Sequence, residues 1–164
     1  MVSHPIAPVW DTESKILILG SFPSVKSREQ GFFYGHPRNR FWRVLAAVFE
    51  DVEPHTVEEK EHFLHRHHIA LWDVIASCEI SGSADSTIKN VRPNDLSTIL
   101  SSAPIGRIFV NGKTAKAYYD RYLKAKIGMD AFCLPSTSPA NASWSLERLI
   151  QEWKLDLLMS PESN

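Results

Sequence analysis

Short apolar runs alternate with helical patterns along this chain, and that alternation limits the fold more than any other feature. KILILG at 15–20, IALWDVI at 69–75, RIFVNG at 107–112 and DAFCLP at 130–135 read as four buried strands, each ending in turn-forming or small residues. Between the first two, RFWRVLAAVFE places Phe41, Leu45 and Val48 on one helical face, with Asn39 positioned to cap it. A polar helix follows over 58–67. NDLSTILSS at 94–102 opens on capping residues, KTAKAYYDRYLK fills 113–124, and SWSLERLIQEWKLDLL supplies the last helix over 143–158. The Ser-rich stretch 77–91 reads as a loop. Strands alternating with helices predict an α/β fold with a parallel sheet covered on both faces. Ligands in such folds bind beyond the carboxyl ends of the strands. Those ends here are GSFPS at 20–24, Asp73 with the Ser-rich loop, NGKT at 111–114 and LPSTSPAN at 134–141. A functional site is expected there.

A length of 164 residues with 43% hydrophobic content suits one domain spanning 1–164. The formal net charge of −1 announces no polyanion partner. Its distribution is uneven, however: Lys26, Arg28, Arg38, Arg40 and Arg43 face only Glu29 within 25–43, and a second basic segment covers 112–126. The chain has 2 cysteines without metal-type spacing, which argues against a disulfide framework, a zinc site or an iron–sulfur cluster and fits a reducing compartment. No apolar signal core or membrane-length run occurs, so a soluble cytoplasmic protein is expected. NGKT fails as a phosphate loop, because five residues separate Gly106 from Gly112 where four are required. HFLHRHH at 62–68 lacks a supporting carboxylate or cysteine and precedes a strand on its amino side, away from the expected site. No nucleophile elbow is present.

The chemistry-bearing stretch is GFFYGHPRNRFW at 31–42, which mixes five aromatics with Arg38, Asn39 and Arg40. A flat aromatic such as Tyr34 can stack on a planar ring, a contact of about 1–3 kcal/mol per nucleobase. An amide such as Asn39 has no useful pKa. It cannot act as a general base, but it can orient a water and stabilise charge by hydrogen bonding. Flanking arginines, Arg38 among them, can hold phosphates. Ser21, Ser24, Ser136 and Ser138 at the strand ends suit hydrogen bonding to an anionic or polar ligand. The parts suit an enzyme that takes a base out of DNA and works on it.

GSFPS, GFFYGHPRNRFW and LPSTSPAN, taken in this order, resemble the uracil-DNA glycosylase superfamily, and within it the hypoxanthine-DNA glycosylase branch, over about Lys15 to Trp144. The resemblance implies a three-layer α/β/α sandwich around a short four-stranded parallel sheet. It implies hydrolysis of the N-glycosidic bond of a flipped deaminated deoxynucleotide in double- or single-stranded DNA; such a reaction needs no metal or organic cofactor, and a monomer is expected of an enzyme that must scan DNA. The implied catalytic amide is Asn39, which would orient the water. Tyr34 matches the base-stacking aromatic, and Phe33 beside it is a second candidate to stack on the base. Phe22 stands in the base-binding turn where many relatives carry a catalytic Asp or Asn. Leu134 stands where cousins have an Asn at the start of the second motif. In that motif Ser136, Thr137 and Ser138 are implied on phosphates, with Pro139 as a minor-groove wedge. Asp73 matches a position that reads the base edge. It either accepts from the N1–H of hypoxanthine, with a backbone N–H reading O6, or serves as a structural carboxylate. A mismatch-specific uracil/thymine glycosylase, a damaged-base reader without catalysis, and a nucleoside hydrolase or kinase are the alternative readings.

Overall fold

The structure is a computed structural model, and residues 1–159 are described. Its centre is a parallel sheet of β2 (Ile16–Gly20), β3 (Ile69–Asp73), β6 (Arg107–Asn111) and β7 (Ala131–Leu134) in the order β3-β2-β6-β7. Alternate residues of β2 explain why it is apolar throughout. Ile16 and Ile18 enter one core, whereas Leu17 and Leu19 enter the other. The first core is closed by α2 (Phe41–Val48), α3 (Val57–Arg66) and α7 (Leu146–Met159), through Phe41, Leu45, Val48, Phe63, Leu149 and Trp153. The second is closed by α4 (Ser97–Ser102) and α5 (Lys113–Tyr122), through Ile99, Ala115 and Tyr119. The expected sheet with helices on both faces is therefore present.

Three local expectations are corrected. IALWDVI is two strands, because the chain leaves the parallel sheet at Val74, whose N–H bonds to Gly20 O, and continues as β4 (Ile75–Glu79). The Ser-rich stretch is a hairpin: β5 (Lys89–Pro93) returns antiparallel to β4, with a 3₁₀ turn at Asp85–Thr87 between them. With β1 (Val2–Ser3) these form a second, antiparallel sheet in the order β1-β4-β5, which shares the second face with α4 and α5. GSFPS runs into a further short helix, α1 (Val25–Gln30), and the 113–124 helix yields at Leu123 to a last short turn, α6 (Lys124–Ile127). Among the described residues no helix is long and apolar enough to cross a membrane.

Candidate active site

The carboxyl ends of β2, β3, β6 and β7 open onto one cleft of about 320 Å³, at the low end of the range of about 300–1,000 Å³ that small-ligand pockets occupy. Asn39, Phe22, Phe33, Tyr34, Asp73, Ser21, Ser24, Ser136, Thr137, Ser138 and Pro139 all line it. Arg38 alone among the expected site residues does not; it is exposed, and its backbone N–H donates to His36 Nδ1 at 3.0 Å.

The mixed character of residues 31–42 comes from a sharp division of labour. Phe32, Phe33, Phe41 and Trp42 are core, and the Trp42 indole N–H donates to Phe33 O at 3.2 Å. Tyr34 lies between core and cleft. One face of its ring stacks on Phe41, with centroids 3.9 Å apart at 14°, which leaves the other face as the one a base can meet. Tyr34 holds φ at 53°, a left-handed conformation uncommon for a bulky residue. Its hydroxyl is buried without a hydrogen bond of normal geometry. That burial, reinforced by the charge of Asp73, holds the phenol far above its ordinary pKa, with the Asn111 amide a smaller opposing influence.

Asn39 is fixed by three elements. Its Oδ1 accepts from Phe41 N–H at 3.0 Å and from the Thr137 hydroxyl at 2.8 Å. A backbone N–H can only donate, so the amide is oriented with its oxygen inward and its Nδ2 hydrogens left for the cleft. Thr137 Oγ1 in turn accepts from Asn111 Nδ2 at 3.0 Å, and Thr137 N–H donates to Asn111 Oδ1 at 3.1 Å. This corrects one expectation. Thr137 is fully buried and both roles of its hydroxyl are taken, so it aligns Asn39 and offers phosphate nothing. Ser24 is also drawn inward: its Oγ caps α1 by accepting from Ser27 N–H at 3.1 Å, and it donates to Ser27 Oγ. Ser136 and Ser138 accept from Ser138 N–H and Ala140 N–H, each at 3.1 Å, and each keeps a hydroxyl hydrogen to donate. Leu134 is wholly within the core, at the end of β7.

Several site residues escaped the sequence reading. Asn111, at the end of β6, is one; a polar residue closing an apolar strand was the available signal. Arg40 is another. Its guanidinium donates to Trp144 O, Ser138 O and Asn141 O, the last two at 3.1 Å, and clamps the loop after β7. Asp85 at the cleft mouth accepts from the Ser21 hydroxyl at 3.2 Å. Although its outer edge meets solvent, loss of water around the carboxyl pushes its pKa up. The Ser21 hydroxyl pulls it part of the way back, and Asp73 adds to the rise. The hairpin that carries Asp85 is tied to α1 by Val25 N–H to Ser83 Oγ at 2.8 Å and Arg28 Nη2 to Gly82 O at 2.7 Å. The Ser-rich stretch was expected at this end of the sheet, but nothing in the sequence singled out Asp85 within it. Among the described residues no cluster of His, Cys, Asp and Glu is arranged to hold a metal ion. In HFLHRHH, His67 Nε2 pairs with Asp51 at 2.7 Å and the ring stacks on Phe49.

The sequence profile described as the Uracil DNA glycosylase superfamily matches residues 7–158. The chain belongs to this superfamily. It is 35% identical over 156 residues to a hypoxanthine DNA glycosylase of Methanosarcina acetivorans, covering 94% of this chain and 97% of the relative. A hypoxanthine DNA glycosylase of Methanosarcina barkeri is 36% identical over 143 residues, covering 86% and 89% of the two chains. Among solved structures, an NMR structure of a proposed uracil DNA glycosylase from Methanosarcina acetivorans matches with a TM-score of 0.78 and 35% identity, over 94% of this chain and 95% of that one. The superfamily is one of DNA glycosylases.

Proposed function

We propose that this protein is a monofunctional DNA glycosylase that hydrolyses the N-glycosidic bond of a flipped deaminated nucleotide, with hypoxanthine as the base, and leaves an abasic site. The observation that carries the reading is the fixed orientation of Asn39. Two inward donors hold its oxygen, so its N–H bonds project where charge and water must be managed. As the glycosidic bond stretches, positive charge grows on the sugar and negative charge on the leaving base. A preoriented donor stabilises that negative charge or holds the attacking water by its oxygen. Tyr34 is the stacking platform. Asp73 accepts from the ring N–H of the base, and a backbone N–H of the turn after β2 donates to its carbonyl. Ser21, Ser136 and Ser138 with Arg38 face the sugar–phosphate chain, and Pro139 fills the space the flipped nucleotide leaves. We infer a monomer acting in the cytoplasm without a metal or organic cofactor.

Uracil is the second base to test, because a structural neighbour is assigned as a proposed uracil DNA glycosylase. Labelled duplexes containing deoxyinosine, deoxyuridine or only normal bases are incubated with wild type and Asn39→Ala, then treated with alkali. Deoxyinosine-selective breakage that collapses in the variant is expected. Breakage at deoxyuridine alone would move the substrate to uracil. Tight binding without breakage in any duplex would mean a reader of damaged bases rather than an enzyme.

A further inference from the structure

The N-terminal segment packs one side chain against residues that line the cleft. β1 pairs with β4, and His4 N–H continues the contact by donating to Ala76 O at 2.7 Å. Although the His4 backbone is at the surface, its ring is only 3% exposed. It sits edge-on to Phe22 and Trp72, with centroids 5.9 and 6.2 Å away, and tilted against Phe33 at 6.1 Å. Phe22 and Phe33 are themselves cleft residues.

The hydrogen bonds of this ring decide its tautomer. Ile6 N–H donates to His4 Nδ1 at 3.1 Å, so that nitrogen carries a lone pair. Nε2 then carries the hydrogen and donates to Asp73 Oδ2 at 2.7 Å. Asp73 is held from its backbone as well, because Asn94 Nδ2 donates to Asp73 O at 2.8 Å. With Oδ2 committed to His4, Oδ1 is the oxygen left for a ligand. It lies over Gly20, 2.4 Å from where a Cβ there would stand, and accepts no hydrogen bond among the described residues.

We propose that His4 is a positioning residue for base selection: by holding Oδ2 it aims Oδ1 of Asp73 at the ring nitrogen beside the carbonyl of a six-oxo base, and so builds in the rejection of adenine. The inference rests on the reading that the cleft takes a flipped hypoxanthine. Deamination of adenine reverses two hydrogen-bonding roles. The exocyclic N6 donor becomes the O6 acceptor, and the N1 lone pair becomes N1–H. A carboxylate oxygen fixed opposite N1 accepts from hypoxanthine and repels the lone pair of adenine. Sites built around such a buried polar group reject the wrong partner strongly, because a buried group is left unpaired. Guanine shares N1–H, so its 2-amino group must be excluded by lack of room, and the informative pair is inosine against adenosine.

The test compares His4→Gln, whose amide nitrogen reaches the position of Nε2, with His4→Asn, whose shorter amide does not. Single-turnover excision is measured on duplexes carrying deoxyinosine or deoxyadenosine at one site, together with affinity for undamaged duplex and Tm. Val9→Ala, which loosens the same N-terminal segment at its bridge to Leu71, is the control for a purely structural role. His4→Asn should lower the inosine-to-adenosine rate ratio about tenfold or more, with undamaged-DNA affinity unchanged. His4→Gln should restore most of the ratio, and Val9→Ala should lower Tm without moving it. A ratio that is the same in His4→Asn and wild type, or that falls equally in Val9→Ala, would overturn the proposal and leave His4 as a staple for the N-terminus. Wild type that excises no inosine at all would instead defeat the underlying reading of the cleft.

Discussion

The Thr137 hydroxyl donates to Asn39 Oδ1 at 2.8 Å across 98 positions of sequence, which makes the loop after β7 and the turn before α2 one unit. Thr137→Val keeps the shape but removes the donor from Asn39 and the acceptor from Asn111. Asn39 Oδ1 keeps only the Phe41 N–H, and Asn111 Nδ2 loses its acceptor; a shielded polar group left unpaired costs about 1–3 kcal/mol. The expected result is lower stability in urea melts and single-turnover excision slowed roughly 10- to 100-fold, as an amide held by one donor samples other orientations. The salt dependence of DNA binding should stay as in wild type. Weaker binding to undamaged duplex, with excision of bound substrate unchanged, would instead return Thr137 to a phosphate-contacting role.

Gly20 is needed for what crowds over it. A Cβ at this strand position would stand 2.4 Å from Asp73 Oδ1 and 2.8 Å from the Tyr34 hydroxyl. Gly20→Ala must displace both of them. Overpacking of this kind costs about 1–3 kcal/mol, and it falls in part on the Asp73 carboxylate, the group proposed to read the base. Excision should therefore fall by more than the loss of folded protein explains, with DNA affinity little changed. A variant with wild-type excision and reduced Tm would show that neither Asp73 Oδ1 nor the Tyr34 hydroxyl needs its present place.

β2, β3 and β6 were legible because they are largely apolar and buried on both faces, whereas β7, at the sheet edge with Cys133 exposed, was legible from its short apolar run before Pro135. Their ends carried the site residues because that is where parallel strands stop and the chain must turn. The antiparallel sheet was not legible. Lys89–Pro93 is a strand with exposed or half-buried side chains, held by backbone pairing with β4 rather than by an apolar pattern. His4 and Asp85 were invisible for a related reason, since a single polar residue acquires its role from a partner far off in sequence: His4 from Asp73, Asp85 from Ser21. Thr137 was placed in the right loop but given the wrong partner. A small polar residue at a strand end can turn outward to a ligand or inward to another loop, and only the position of Asn39 decides between them.

Tyr34 and Tyr119 make stability fall on the alkaline side. Burial lifts Tyr119 to about 12, with the charges of Asp120 and Asp130 adding to the rise, and its hydroxyl donates to Met129 O at 2.7 Å. Tyr34 is raised further. Below pH of about 10 both phenols are protonated in folded and unfolded chains alike. Above it the unfolded chain releases their protons and the folded chain does not. The unfolded state then binds fewer protons, and stability drops as pH rises. Each group should contribute about 1 kcal/mol of loss between roughly pH 10 and 11. Urea melts across that interval should show Tyr34→Phe losing about half as much from this pair as wild type. At neutral pH Tyr34→Phe should be no less stable than wild type, because it deletes a buried hydroxyl without a partner and keeps the stack on Phe41.

Arg38 and Arg40 flank Asn39 and should fail in opposite ways when changed. Among the described residues the Arg38 guanidinium makes no hydrogen bond or ion pair, and the residue is exposed. Arg38→Ala should leave Tm in place, weaken DNA binding similarly for damaged and undamaged duplexes, and reduce the salt slope by about one. Arg40 is turned inward, where its fork serves three carbonyls of the loop that carries Ser138 and Asn141, while its own backbone N–H donates to Thr137 O at 3.1 Å. A lysine has the charge but not the planar fork, so it cannot satisfy three separate acceptors in one geometry. Arg40→Lys should therefore lower Tm and slow excision about tenfold or more, with the salt slope intact. If instead Arg40→Lys keeps the wild-type Tm and loses salt-sensitive affinity, Arg40 reaches DNA, and the loop after β7 holds its shape by other means.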